Sequence, residues 1–190
     1  MSLDEHRYAL TVRWTGNLGE GTASYRGYSR NHDVEIPGLP VLRGSADPTF
    51  HGDRTRYNPE QLLLAALSQC HMLSFLHVAV KHGVVVTGYE DRAEGLMRTN
   101  RDGSGQFESV TLKPLVTLAA PVSTELLEEL HTGANRVCFI ARSVNFPVLH
   151  EPSAAFEGRR AERPAGPGRV TSPAAGAAVD PDAPGATLRR

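Results

Sequence analysis

The chain has 190 residues, enough for one good-sized domain or two small lobes over a shared core. Twenty Lys+Arg against 21 Asp+Glu give a formal net charge of -1, which excludes the basic footprint of a nucleic-acid binder. Hydrophobic residues make up 40%, as in soluble globular proteins, and MSLDEHRYALTVRW at the start lacks the apolar core of a secretory signal, so a cytoplasmic protein is expected.

Tyr8–Trp14 alternates apolar and polar side chains as a half-buried strand does. Asn17, Gly19 and Gly21 supply a turn, and Thr22–Tyr28 reads as the return strand of a hairpin. Asp33–Ile36 is a short strand, and the Pro-, Gly- and Asp-rich stretch from Pro37 to Arg56 is a loop. Asn58 then caps a long helix, with Pro59 in its first turn and Glu60 at the positive end of its dipole. Leu62 to Val80 is apolar on nearly every face. Ser68, Gln69, His71, Ser74 and His77 make it too polar for a lone helix in lipid, so an enclosed core helix and no membrane span are expected.

Gly83 ends this helix. Val84–Met97 and Phe107–Ala119 read as two long strands joined by the turn Asn100–Gly103. Ser123 caps a second helix running toward Val137, and Asn145–Leu149 is a final strand. His82 and His131 are placed at or near helix C-terminal turns, where they suit the dipole and need no functional role. The element order predicts an α+β fold, with mainly antiparallel sheets around buried central helices. A helix apolar all round needs more cover than one small sheet supplies, which predicts an enclosing homodimer. From Gly158 the composition turns to Pro, Gly, Ala and Arg, predicting a disordered tail over 158–190 after a domain spanning 1–157.

Two cysteines in a chain without a secretory signal suit redox chemistry better than a structural disulfide. Cys70 lies inside the apolar helix, where a thiol is ordinarily inert packing. Cys138 follows the second helix in ANRVCFIARS, beside arginines that favour a thiolate. A metal site is not expected: His71 points to a different helix face from Cys70, His77 lies two turns away, and no CxxC or HExxH spacing occurs. These patterns leave Cys70 open between packing and reagent.

NPEQLLLAALSQCH, followed by ANRVCFIARSVNFPV, resembles the OsmC/Ohr family of thiol-dependent hydroperoxide reductases. RWTGNLGEGT and GSADPTFHGD are similar to its N-terminal hairpin and approach loop, and the likeness spans about Tyr8 to Leu149. The resemblance implies an intertwined homodimer in which Cys70 attacks an organic hydroperoxide. Cys138 then closes a disulfide that an external dithiol, of lipoyl type in one branch of the family, reduces. It implies no further cofactor. It also gives Glu60 the task of holding an arginine that lowers the thiol pKa. Ten residues at about 1.5 Å each place Glu60 roughly 15 Å from Cys70 on a straight helix, so the pair is expected to act across the dimer interface. Thr49 stands where OsmC-like members carry the arginine; Arg30 is the candidate substitute, with Arg26 and Arg56 behind it and His32 as a candidate proton donor. Leu63, Leu67, Leu73 and Phe139 are the expected walls of an apolar substrate pocket. The alternative is a non-catalytic redox-sensing or small-molecule-binding dimer on the same fold, or a structural dimer whose thiols are inert.

Overall fold

The computed structural model of the chain describes residues 5–156. The predicted tail from Gly158 and its boundary at residue 157 lie outside them. Nine strands and two α-helices follow in the order β1 (Thr11–Trp14), β2 (His32–Glu35), β3 (Leu42–Gly44), α1 (Pro59–Lys81), β4 (Val86–Asp91), β5 (Glu94–Thr99), β6 (Gly105–Leu112), β7 (Pro114–Leu118), α2 (Thr124–Val137), β8 (Val148–His150) and β9 (Ser153–Phe156). They form three three-stranded sheets, β1-β2-β3, β4-β7-β9 and β5-β6-β8. Only the β6/β8 and β7/β9 pairs are parallel. The mainly antiparallel α+β expectation therefore describes the chain.

The expected strand at Thr22–Tyr28 is absent. The Asn17 side-chain oxygen accepts the N–H groups of Gly19 and Gly21, and the Arg30 guanidinium donates to the carbonyls of Tyr25 and Tyr28. These bonds take backbone groups that a ladder needs, so the segment is held in turns. The partner of β1 is β2 instead, with Trp14 opposite His32.

The two long strands expected over Val84–Met97 and Phe107–Ala119 are each broken in two. Pro114 has no N–H to give, and the Asp91 carboxylate takes the N–H of Lys113 at 2.7 Å. The hairpin bends there, so β5 and β6 serve one sheet while β4 and β7 serve another. Its tip is the expected turn, with Gly103 at φ +84°.

Helix α1 forms where its signals place it. Asn58 accepts the Gln61 N–H at 2.8 Å while the Gln61 side chain accepts the Asn58 N–H, a reciprocal cap. Gly83, at φ +69°, provides the left-handed turn after the last residues. Leu67, His71, Phe75, Val78 and Ala79 are buried in the protein's own core, whereas Leu73 and Val80 are 61% and 76% exposed. One chain thus covers only part of the helix.

Against that buried side packs α2, capped by Ser123 and presenting Leu127, Leu130, His131 and Ala134. The approach is close: a Cβ on Gly133 would come within 3.3 Å of Val78. His131 lies mid-helix and buried, not in a C-terminal turn, whereas His82 is the residue that follows α1 as expected. Nε2 of His71 and Nδ1 of His131 share a 3.0 Å hydrogen bond, and their rings are within 9° of parallel. His150 of β8 packs on His71 with centroids 4.4 Å apart, and Phe75 stacks on His131 at 4.3 Å.

Burial drives His71 down to about 3 and His131 to about 4, with His150 adding repulsion to both. The charges facing the pair are therefore His150 from β8 and, acting on His150 in turn, Asp91 from β4. Both histidines are neutral when folded at pH 7. The unfolded chain takes up their protons first as the pH falls below 6.5, so stability is full above that value and is lost toward acid. At pH 4.5 the loss is about 2.5 kcal/mol per histidine. Urea unfolding at pH 7 and pH 4.5 should show this loss in the wild type and much less of it in His71→Leu/His131→Leu. At pH 7, Phe75→Ala should lower the unfolding free energy by about 3–5 kcal/mol, because the fully buried ring leaves a cavity between α1 and α2.

Candidate active site

The two cysteines, 68 residues apart in sequence, are brought together by the α1–α2 crossing. Cys70 is half-buried on α1, and Cys138, the fully buried residue that ends α2, has its thiol close enough for Cys70 to act on it. Cys138 Sγ also accepts the Ala141 N–H at 3.4 Å from the short 3-10 turn Ala141–Ser143. The expectation that nearby arginines favour a Cys138 thiolate fails. Burial first, and then contact with Cys70, raise this thiol to about 11, and no arginine acts on it. Cys138 is a protonated thiol at neutral pH, and Cys70 is the more accessible of the pair.

A second cluster forms where the N-terminal sheet meets the start of α1. Trp14, Tyr28, Arg30, His32, Phe50 and Glu60 line a cavity of about 330 Å3. Within it, Glu60 Oε2 is buried without a hydrogen-bond partner. The Arg30 guanidinium is positioned by the carbonyls of Tyr25 and Tyr28 and lies 4.1 Å over the Tyr28 ring. Trp14 is a wall of this cavity, and its indole N–H donates to the Ser29 carbonyl at 2.8 Å. His32 is also in the wall, with Nδ1 3.0 Å from the Arg30 carbonyl.

The rival arginines are placed elsewhere. Arg56 is engaged by Asp33 at 3.5 Å and Asp53 at 3.8 Å, and Arg26 is exposed to solvent. Arg30 has no carboxylate within ion-pairing distance among the described residues, and Glu60 shares its cavity. The chain therefore brings Cys70 to Cys138, and Arg30 to the same cavity as Glu60, but it does not bring Cys70 into that cavity.

The expected apolar walls do not converge within one chain. Leu67 belongs to the core with Val110 and Leu112, while Leu73 and Phe139 are 61% and 77% exposed. No group of three His, Cys, Asp or Glu side chains among the described residues has the geometry to hold a metal ion. The histidine stack escaped sequence reasoning because its members come from three elements, and periodicity says nothing of contacts sixty residues apart. Its one visible sign was the lone polar side chain of His71 on the face that Leu67 and Phe75 bury.

Known proteins share the sequence family and the fold. The family described as OsmC-like protein matches residues 51–152. An OsmC-like protein of unknown function from Vibrio cholerae is 31% identical; the match covers 78% of this chain and 99% of that one, with a TM-score of 0.71. An organic hydroperoxide resistance protein OsmC from Legionella pneumophila is 20% identical, covering 80% and 99%, with a TM-score of 0.58. An organic hydroperoxide resistance protein from Elizabethkingia anophelis is 17% identical over the same shares, with a TM-score of 0.59. At these identities the last two share the fold. No curated protein sequence matches the chain. With its capped NPE helix, its paired thiols and a fold common to these structures, the chain belongs to the OsmC-like family.

Proposed function

We propose that the protein is a cytoplasmic, homodimeric thiol peroxidase that reduces organic hydroperoxides to alcohols. The observation that carries this reading is the nearness of the two thiols, Cys70 acting on Cys138, in a chain with no other cysteine. The Cys70 thiolate attacks the outer oxygen of the hydroperoxide; the O–O bond breaks, and the departing alkoxide takes a proton and leaves as the alcohol. The sulfenic acid left on Cys70 condenses with the Cys138 thiol, forming the disulfide and releasing water. An external dithiol, of lipoyl type or similar, returns both thiols by exchange. The scheme needs no bound cofactor.

The division of labour follows from the thiols' surroundings. Cys138 is fully buried and held protonated, so it is unsuited to meet substrate first and suited to give its proton to the departing hydroxide. A thiolate attacks the peroxide and a thiol does not, so the scheme calls for a cation beside Cys70. In this scheme Arg30 supplies it and Glu60 positions Arg30, both reaching the Cys70 of the other copy. The unpartnered Glu60 oxygen and the exposed faces of α1 and β1, including Leu73, Val80 and Val12, support a second copy packing there.

Reduced full-length protein, treated with cumene hydroperoxide, should lose both thiols. Cys70→Ser should keep its remaining thiol, and Cys138→Ser should yield a trappable sulfenic acid. Arg30→Met and Glu60→Gln should slow the first step at least about tenfold, a barrier higher by about 1.4 kcal/mol. Wild-type thiols that survive a modest excess of hydroperoxide would remove the peroxidase and leave the sensing or binding dimer. In sedimentation experiments Leu73→Glu/Val80→Glu should run as a monomer; an unchanged dimer would place the interface elsewhere.

A further inference from the structure

The scheme above leaves the buried histidines of the α1–α2 crossing unused. We infer that His71 and His131 are positioning residues for the dithiol, their mutual hydrogen bond fixing the register of α1 against α2 at which Cys70 meets Cys138. The inference rests on the Cys70–Cys138 couple proposed above.

Among the described residues, the His71–His131 bond is the only N/O hydrogen bond that joins α1 to α2. The core of the crossing is otherwise apolar packing, by Phe75, Val78, Ala79, Leu127, Leu130 and Ala134. Burial of that kind is strong and non-directional, so it holds two helices together without choosing among closely spaced registers. A hydrogen bond does choose, because it weakens steeply within a few tenths of an ångström and a few tens of degrees.

The placement suits the task. His71 is the residue next to Cys70 on α1, and His131 lies two helical turns before Cys138 on α2. Disulfide formation is sensitive to such register, since it requires an S–S bond of about 2.05 Å and a narrow range of Cα separations. The arrangement is otherwise costly. His71 Nδ1 and His131 Nε2 are buried with no partner, a penalty that two leucines would avoid. His150 backs the pair from β8 and Phe75 holds the other side of His131, so neither ring is free to turn away.

The bond needs one imidazole nitrogen as donor and the other as acceptor, which two imidazolium rings cannot provide. A pair of amides can. Gln at 71 carries its amide to the Nε2 position and Asn at 131 to the Nδ1 position, so His71→Gln/His131→Asn retains a link of the same reach without titrating groups. His71→Leu/His131→Leu removes both polar partners together and leaves none stranded.

The test is the equilibrium between the Cys70–Cys138 disulfide and dithiothreitol in the full chain, measured at pH 7 without any hydroperoxide. The leucine pair should lower the disulfide's equilibrium constant at least tenfold, raising its potential by about 30 mV. The amide pair should stay within about twofold of wild type. Val116→Ala, a cavity in the same core that leaves the histidines intact, should melt earlier and keep the wild-type constant.

A leucine pair with a wild-type constant overturns the inference, as does a Val116→Ala shift equal to its own. Should the leucine pair fail to fold, His71→Asn takes its place: its amide ends at the Nδ1 position and cannot reach His131, so a wild-type constant there is equally fatal. A wild type that forms no Cys70–Cys138 disulfide in any redox buffer overturns both the clamp and the couple. A wild type that forms it yet ignores hydroperoxides removes the peroxidase reading alone.

Discussion

A 23-residue helix with apolar side chains on nearly every face cannot be hidden by one layer of protein, and the remaining architecture answers that constraint. The bent hairpin wraps two sheets around it, α2 crosses it, and both sheets take their last strand from residues 148–156. Even so, Leu73 and Val80 stay exposed in one chain. The same burial that stabilises the fold also sets the chemistry. It keeps Cys138 protonated, keeps His71 and His131 neutral, and leaves a Glu60 oxygen without a donor.

Two half-assembled devices occupy opposite halves of this arrangement. At the crossing of α1 and α2 lie two thiols that are adjacent but have no cation; at the start of α1 lie an arginine and a glutamate that share a cavity but have no thiol. Their separation follows from helix geometry. Glu60 and Cys70 are fixed on one rigid rod ten residues apart, and no side-chain rotation closes that gap. Under the proposed peroxidase scheme, a second rod beside the first would let each half complete the other, so that assembly and reactivity become a single question.

Local signals in the sequence were legible because their physics is local. Asn58-Pro59-Glu60, Gly83, Ser123 and Asn100–Gly103 each act on backbone groups within a few residues, and each lies where the structure uses it. The break at Lys113-Pro114 carried a visible sign in the proline, but its meaning depended on Asp91, 22 residues away, taking the displaced N–H. The turn segment 22–28 alternates well enough for a strand; what overrides it is the Arg30 side chain reaching back to two carbonyls. Cys70 is read as more than packing only through family resemblance. Its contact with Cys138, like the histidine stack, is a product of tertiary assembly that no periodicity encodes.

The parallel edge strands have a bearing on how the protein is made. β8 and β9 complete their sheets from residues 148–156, pairing with β6 and β7, and Ala154 and Phe156 pack on the core that covers α1. A ribosome adding about 5–20 residues per second delivers β9 roughly 4–15 s after it has finished α1. Throughout that interval the most apolar element of the chain has emerged, or is emerging, with neither sheet able to close. Nascent chains would thus present a sticky helix for seconds, an interval in which chaperone capture competes with clumping. The match to the OsmC-like family stops at residue 152, so a chain cut at that limit would lose β9 and never leave the vulnerable stage.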